Sequence, residues 1–288
     1  MHRRITKRAV FGALAIILIM GGMTACSDSE LTDPVNSTED GTLKLLLVDA
    51  PAQMQSVDSL IVVFDRVLVH RYEEADTCSA DGWITVLSDT LPAEERTFNL
   101  LELVNGVFAT LGEVDLEAGI YSQIRIMLES ASLVIDGENQ EIFIPSGEQT
   151  GIKLVNSFTV NPAVITELTL DFDVASSLHE APPGSGNYIL RPTIRLVQNT
   201  LSGTISGTAL PAGIGSVIYA LEPYSGDTIT TTLPDSLSGE YVIQALLEGT
   251  YDIRAEAEGY QDSTVTGVTV TAGTDTPDID FELDPVIQ

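Results

Sequence analysis

Alternation of apolar and polar residues recurs along most of the chain after about residue 40, and this period of two constrains the fold most strongly. In QIRIMLES, the apolar residues Ile124, Ile126 and Leu128 share one face of an extended strand. The same pattern runs through ELTLDFD at 167–173, YDIRAEAEG at 251–259 and DIDFELD at 278–284. Turn-rich segments such as APPGSGN at 181–187 separate the runs. We therefore predict an all-β chain of two β-sandwiches in tandem, Ig-like or transthyretin-like, with little helix.

The first 25 residues have the organisation of an export signal. Basic residues at positions 3, 4, 7 and 8 precede an unbroken apolar run from 9 to 20, and small residues follow that run. An uncleaved membrane anchor is the alternative interpretation, but a spanning helix needs about 20 apolar residues. Two glycines and a threonine interrupt the run early. We predict that residues 1–25 are a cleaved signal peptide.

A cysteine stands at the end of this signal, where ordinary export signals have no need of a thiol. The stretch Met23-Thr24-Ala25-Cys26 resembles the lipobox of bacterial lipoproteins, although Met23 departs from the usual leucine. The resemblance implies a diacylglyceryl group on the sulfur of Cys26, cleavage before it, and acylation of the new amine. Several acyl chains hold a protein on a membrane far more firmly than one chain does. A disulfide between Cys26 and Cys78 is the alternative.

Acidic residues dominate the rest of the chain. Residues 1–25 hold four of the 13 basic residues and none of the 42 acidic ones, so residues 26–288 carry a formal charge of −33. This charge argues against nucleic acid and anionic lipid headgroups as partners, because both are recognised through Lys and Arg. Residues 26–40 are polar and acidic, which predicts a disordered tether between the lipid and the folded part. The composition also suggests adaptation to high salt, which screens such repulsion.

A change of pattern near Asn199 divides the remainder into predicted domains at 41–199 and 200–288. The first contains GTLKLLLVDAP, VDSLIVVFDRVLVHR, LEAGIYSQIRIML, LTLDFDVASS and YILRPTIRLV in this order. These segments resemble the family of secreted lipoproteins called domain of unknown function 4382. The resemblance implies a β-sandwich associated with the cell envelope, and it brings no catalytic residues.

The second predicted domain resembles the carboxypeptidase regulatory-like family. The segments that carry the resemblance are GTISGTAL, SGEYVIQALLEGTYDIRAEAEGY and VTVTAG. It implies a transthyretin-like sandwich, grouped with carbohydrate-binding-like folds. We expect Tyr241 and Tyr251 to be core residues rather than ligand contacts. Glycines before these tyrosines are explained by turns that need a positive φ.

Few residues offer catalytic or metal-binding chemistry. Residues 200–288 contain no Lys, His, Cys, Asn or Trp, so a Ser-His or Cys-His arrangement cannot be built there. His70 and His179 are too few for a zinc site, and acidic neighbours make Cys78 a poor nucleophile. Asp171 and Asp173 share a strand face, but nothing marks the apolar pocket that a glycosidase pair needs. We predict no cofactor and no metal site. If a calcium ion does bind, Asp275 and Asp278 in an acidic loop are the candidate ligands.

Two classes of function remain. The first is a non-catalytic binding, adhesion or scaffold module, exported and lipid-anchored at Cys26 in the cell envelope, with the outer membrane as the expected location and its face left open. Its partners are a glycan or an envelope protein. The alternative is an accessory or catalytic component of an envelope saccharide-processing system. The inventory of catalytic groups favours a protein that is not an enzyme. Trp83 and Tyr72 are the candidate glycan contacts, and we expect a buried Trp83 because it starts the alternating run WITVL.

Overall fold

The computed structural model describes residues 39–50, 57–72, 82–145 and 151–286, which belong to one compact unit. The predictions for the signal peptide, for Cys26, for most of the tether and for Cys78 lie outside the described residues.

Strands make up nearly all of the regular structure before residue 199. They are β1 Asp40–Ala50, β2 Val57–Arg71, β3 Trp83–Leu87, β4 Thr97–Asn99, β5 Ala109–Glu117, β6 Gly119–Ile135, β7 Glu138–Glu141, β8 Ile152–Leu154, β9 Phe158–Val160, β10 Ile165–Asp173, β11 Leu178–Glu180, β12 Tyr188–Leu190 and β13 Ile194–Gln198. The helical turns are 3-10 segments at Ala93–Glu95 and Leu100–Glu102 and the single α-helical turn α1, Val174–Ser177.

Two sheets of this first part enclose one core. The smaller sheet has the order β13-β10-β1-β5, in which β1 runs parallel to β10. The larger sheet has the order β3-β2-β6-β7, with β4 also paired to β2, and β8 and β9 paired to β6. Side chains between the sheets are almost fully buried, for example Leu45 of β1, Phe64 of β2 and Leu170 of β10. This is the sandwich that the alternation predicts.

The second part has its own two sheets and its own core. A 3-10 turn at Asn199–Leu201 leads into β14 Ser202–Leu210, β15 Val217–Leu221, β16 Thr228–Thr232, β17 Glu240–Leu247, β18 Gly249–Glu256, β19 Ser263–Val270, β20 Asp275–Thr276 and β21 Phe281–Glu282. One sheet has the order β17-β14-β20, with β21 also beside β14, and the other has the order β16-β15-β18-β19. Among the described residues, every ladder joins strands of the same part. The all-β, two-sandwich prediction of the fold class is confirmed.

Tyr241 and Tyr251 of the second sandwich pack on its core, as the sequence predicts. Tyr241 is 1% exposed and donates its hydroxyl to the carbonyl of Ile279. Tyr251 is half-buried against the same core and donates to the carbonyl of Leu247 at 2.8 Å. Gly239, two residues before Tyr241, has the positive φ of 78° that the turn needs, whereas Gly249 before Tyr251 does not adopt such a φ.

One prediction about strand faces differs from the structure. Asp171 points away from the core of the first sandwich, as the alternation requires, yet it is only 3% exposed. The outer face of the sheet at this point is covered by β16 of the second sandwich, whose Thr230 lies beside the Asp171 carboxylate. Neighbouring residues on this outer face, Leu46 and Val48 of β1, are buried as well. A face that appears solvated in the sequence is therefore part of an interface.

Candidate functional site

A loop of the first sandwich forms hydrogen bonds with the edge strand β17 of the second sandwich. The side-chain oxygen of Asn105 accepts a hydrogen bond from the backbone N–H of Val242 at 2.6 Å, and its nitrogen donates to the carbonyl of Glu240 at 3.2 Å. Asn105 has a φ of 54°, which asparagine tolerates better than most residues. Gln244 extends the contact by donating to the carbonyl of Val107 at 3.2 Å. The edge of β17 is thus hydrogen-bonded to the first sandwich.

A buried ion pair lies in the same interface. Both Nη2 and Nε of Arg195 donate to Oδ2 of Asp171, at 2.6 and 3.2 Å. Burial raises the pKa of Asp171, while Arg195 and the hydroxyl of Thr230 oppose that shift. Burial also raises the pKa of Tyr251, and the nearby charge of Arg195 opposes it. The pair joins β10 to β13 within the first sandwich, and Thr230 of the second sandwich lies beside its carboxylate.

A second buried carboxylate, Asp49, lies at the end of β1. Its Oδ1 accepts a hydrogen bond from the N–H of Val174 at 3.2 Å, whereas its Oδ2 is buried and has no partner in the described part of the chain. Burial raises the pKa of Asp49 well above its usual value, the Val174 N–H opposes this, and the charges of Asp171 and Asp173 add to the rise. The site therefore favours the protonated acid.

An open cleft of about 400 Å³ lies where the two sandwiches meet. Polar side chains from both parts surround it, together with an apolar rim that includes Phe108, which is 53% exposed. Its lining residues are Lys44, Leu46, Val48, Phe108, Glu167, Thr169, Asn199, Ser202, Gly203, Thr204, Gln244, Ala245, Gly273, Thr274 and Asp275. This volume falls within the range of about 300–1,000 Å³ typical of small-molecule sites, which favour domain interfaces.

The polar groups of the cleft are fixed by contacts with one another. Lys44 and Glu167, neighbours on β1 and β10, form an ion pair at 3.2 Å. Thr169 donates its hydroxyl to Oδ1 of Asn199 at 2.6 Å. Asp275 accepts hydrogen bonds from the hydroxyls of Thr204 at 2.7 Å and Ser206 at 2.6 Å. The arrangement offers hydrogen-bonding groups of low net charge beside an aromatic ring, which suits recognition of a polar ligand.

The two predicted glycan contacts differ in how exposed they are. Trp83 is half-buried: its ring centre lies 4.8 Å from that of His70, and the guanidinium of Arg125 lies 4.3 Å from it. Tyr72 follows β2 and is 49% exposed. The expectation of a buried Trp83 is therefore wrong in part. Ile84 and Val86 of WITVL pack on the core, which leaves Trp83 on the outer face of the sheet.

The candidate calcium ligands serve other purposes. Asp275 binds the hydroxyls of β14 described above, and Asp278 lies in the segment between β20 and β21 with a φ of 64°. Within residues 39–50, 57–72, 82–145 and 151–286, no three or more His, Cys, Asp or Glu side chains are placed to hold a metal ion. Asp173, considered with Asp171 as a carboxylate pair, caps α1 by accepting from the N–H of Ser176 at 2.8 Å.

Apart from Asp275, which was singled out as a calcium candidate, sequence reasoning did not find the residues of the joint or of the cleft. Asn105 belongs to an Asn-Gly dipeptide, a strong turn signal, but nothing local indicates that its amide bonds to another domain. Phe108 and Gln244 carry no motif. Their proximity depends on how the second sandwich packs on the first.

Family models match both parts of the chain in tandem. The model described as Domain of unknown function (DUF4382) matches residues 40–192, more than half of the chain. The chain belongs to the DUF4382 family. The model of the carboxypeptidase regulatory-like domain matches residues 200–284. Both resemblances seen in the sequence are confirmed for these residues. No curated protein matches the chain.

Solved structures show only distant similarity. The TIE protein of Bacillus anthracis is 12% identical with a TM-score of 0.25, over 86% of this chain and 34% of that one. GBS52, the minor pilin of Streptococcus agalactiae, is 14% identical with a TM-score of 0.22, over 85% and 97%. Shaft pilin SpaA from Lactobacillus rhamnosus GG is 10% identical with a TM-score of 0.21, over 86% and 99%. The chain thus spans about a third of the first of these structures.

No helix in the described part of the chain has both the length and the apolar character to cross a membrane.

Proposed function

We propose that this DUF4382 family member is a lipid-anchored cell-envelope protein that acts as a non-catalytic binding, adhesion or scaffold module. The observation that carries the proposal is the joint between the sandwiches, which holds a polar cleft of about 400 Å³ open between them. The anchoring part rests on the lipobox resemblance at Cys26. Its partner is a glycan or a protein of the envelope.

The use of the carboxylates supports a non-catalytic role. Asp171 is neutralised by Arg195, Asp173 caps α1, and Asp275 binds two hydroxyls of β14. A general acid or a nucleophile needs a carboxyl group that can reach a substrate. These three side chains are instead used in contacts that stabilise the fold.

The cleft is the proposed contact region because it combines an exposed ring with planar polar groups. Phe108 supplies apolar area, and the amides of Asn199 and Gln244 supply donors and acceptors close by. Ligand sites with this mixture bury the apolar part of a ligand and orient it through a few hydrogen bonds.

The binding proposal is tested with the complete mature chain carrying Cys26→Ser, immobilised and exposed to solubilised native envelope. Phe108→Ala should reduce retention of the captured component tenfold or more, because the exposed ring is lost from the cleft. Phe143→Ala is the matched control, since Phe143 is exposed outside the cleft. Equal retention by both variants would reject the cleft as the contact region. Turnover of an envelope polysaccharide by the same chain would favour the saccharide-processing alternative.

The anchoring proposal has its own test in cells supplied with a labelled fatty acid. Wild-type chain should carry the label and fractionate with membranes. The Cys26→Ser chain should lose the label, and label that persists in this variant contradicts lipidation at Cys26.

A further inference from the structure

A compact group of polar and aromatic side chains lies on the outer face of the larger sheet of the first sandwich. Alternate residues of β6 face the core, so Gln123 and Arg125 lie on the opposite face. The strand register places Gln123 beside His70, His70 beside Trp83, and Arg125 beside Lys153. These five residues are called the Arg125 cluster.

Two positive charges of this cluster lack the carboxylate partners that others have. The chain after residue 25 has nine Lys and Arg residues, and six of them form ion pairs: Lys44, Arg66, Arg71, Arg96, Arg195 and Arg254. Among the described residues, no carboxylate lies within 4.0 Å of Arg125 or Lys153. They are instead direct register partners on adjacent strands. Like charges in this position repel each other and destabilise a sheet.

Two donors of the cluster also lack acceptors. The Nε of Arg125 and the Nε2 of Gln123 are buried, and neither has a hydrogen-bond partner among the residues that the structure describes. Leaving a buried donor unsatisfied is unfavourable, so such groups in native proteins usually have a reason. Here the two donors lie on alternate residues of one strand and on one face. They point to an acceptor that is missing from the same small region.

The aromatic ring of the cluster fixes the direction of the guanidinium. Arg125 lies over the ring of Trp83 at 4.3 Å, which is within the range of a cation–π contact. Stacking of this kind uses the face of the guanidinium and leaves its in-plane N–H groups available. Gly151, with a φ of 67°, packs under the stem: a Cβ there would lie 3.0 Å from Cγ of Arg125. The side chain is therefore held in place before any ligand binds.

We propose that the Arg125 cluster is a binding site for an oxyanion, namely a carboxylate or sulfate group carried by an envelope molecule. An oxyanion between Arg125 and Lys153 would give both cations an acceptor and remove the repulsion between the two charges. Arg125 binds it through the terminal N–H groups of its guanidinium, and Lys153 donates from the side. The site lies on a different face from the cleft and does not depend on the function proposed for the cleft.

Trp83 is the only tryptophan of the chain, so its fluorescence reports on this site alone. The complete mature chain with Cys26→Ser is titrated at constant ionic strength with sodium acetate, glucuronate and sulfate. Glucose is the neutral control for glucuronate, because the two sugars differ in one carboxylate. We expect a saturable change of emission with oxyanions and none with glucose. Whether carboxylates, sulfate or both produce it identifies the group.

Lys153→Gln is the main variant because Lys153 is exposed and its loss should not disturb folding. It should weaken the apparent oxyanion affinity tenfold or more, and Arg125→Gln should do the same. Arg66→Gln is the matched control, since Arg66 is already paired with Asp65 at 3.0 Å and its loss should change the affinity less than twofold. Lys153→Gln should also raise the melting temperature in oxyanion-free buffer. An emission that does not saturate, or equal weakening by Arg66→Gln, overturns the proposal.

Discussion

The side-chain oxygen of Asn105 in the first sandwich accepts a hydrogen bond from the backbone N–H of Val242 in the second, at 2.6 Å. The amide of Asn105 thus takes the place of a backbone unit along the edge of β17. Because its nitrogen also bonds to the carbonyl of Glu240, one residue satisfies both a donor and an acceptor of the opposite sandwich.

Removing this amide should destabilise the joint. Asn105→Gly retains the positive φ but removes the bonds to the Val242 N–H and the Glu240 carbonyl, which should cost about 0.5–1.5 kcal/mol for each bond. Asn105→Asp keeps the acceptor for Val242 but sets a carboxylate oxygen against the Glu240 carbonyl, so it should also destabilise the joint. Urea unfolding of the mature chain measures both. Identical midpoints for wild type and both variants would show that the bonds contribute nothing.

The Asp171–Arg195 pair should be strongly coupled. Arg195→Met leaves the carboxylate of Asp171 buried and unpaired, and breaking a buried pair in this way typically costs about 3–5 kcal/mol. The double variant Asp171→Asn with Arg195→Met removes the uncompensated charge and should recover part of that loss. A double-mutant cycle from denaturant unfolding measures the coupling. Additive effects of the two single changes would show that the two side chains are not coupled.

Asp49 should make stability depend on pH. Its pKa is raised in the folded state, so folding favours the protonated form. Its contribution to stability is therefore greatest in acid and falls as pH rises through the folded-state pKa. Asp49→Asn keeps the acceptor for Val174 and removes this titration. At pH 7 it should stabilise the protein, because a neutral amide replaces a carboxyl group whose charged form is unfavourable when buried.

The control for this prediction is the same comparison in acid. Below the ordinary pKa of aspartate, both chains have a neutral group at position 49, and their stabilities should converge. Urea unfolding at several pH values provides the two curves. If the stabilities of wild type and Asp49→Asn change in parallel at all pH values, Asp49 is not the cause of the pH dependence.

The high negative charge should make the protein respond to salt. Residues 200–288 hold 14 acidic residues and one basic residue, Arg254. Raising NaCl from 0.1 M to 1 M shortens the screening length from about 10 Å to about 3 Å, so the melting temperature should increase. At matched ionic strength, CaCl₂ and MgCl₂ should act alike. A saturating shift with calcium alone would instead indicate a specific site near Asp275 and Asp278.

The predicted domains at 41–199 and 200–288 should each fold alone, because each sandwich has its own core. Separation exposes Leu46, Val48 and the Asp171–Arg195 pair, so both pieces should be less stable than the whole. Amide NMR spectra of the pieces should overlay on that of the intact chain except near this interface. Shifts spread through either core would show that the boundary is misplaced.

Local sequence patterns predicted the strands and the cores well. Period-two alternation placed Ile124 and Leu170 inside because the face of a strand is set by neighbouring residues. The same reasoning left Asp171 on a solvated face, since burial of that face depends on a domain that follows in the chain. Trp83 shows the sensitivity of register: its neighbours Ile84 and Val86 take the core side, so Trp83 lies on the other. The site residues were not predictable because they meet only through tertiary packing.

The pairing of β1 with β10 has a consequence for the order of events during synthesis. Thr42 at the start of the folded part aligns with Ile165, and β1 lies between β10 and β5 in the finished sheet. During synthesis the N-terminus of the chain is made first, so this sheet cannot be completed until β10 has also been made. Pairing over such a separation is slow compared with local structure. The smaller sheet of the first sandwich therefore closes only after residue 173 has been made, and if the chain is exported as proposed, this delay would favour passage before folding.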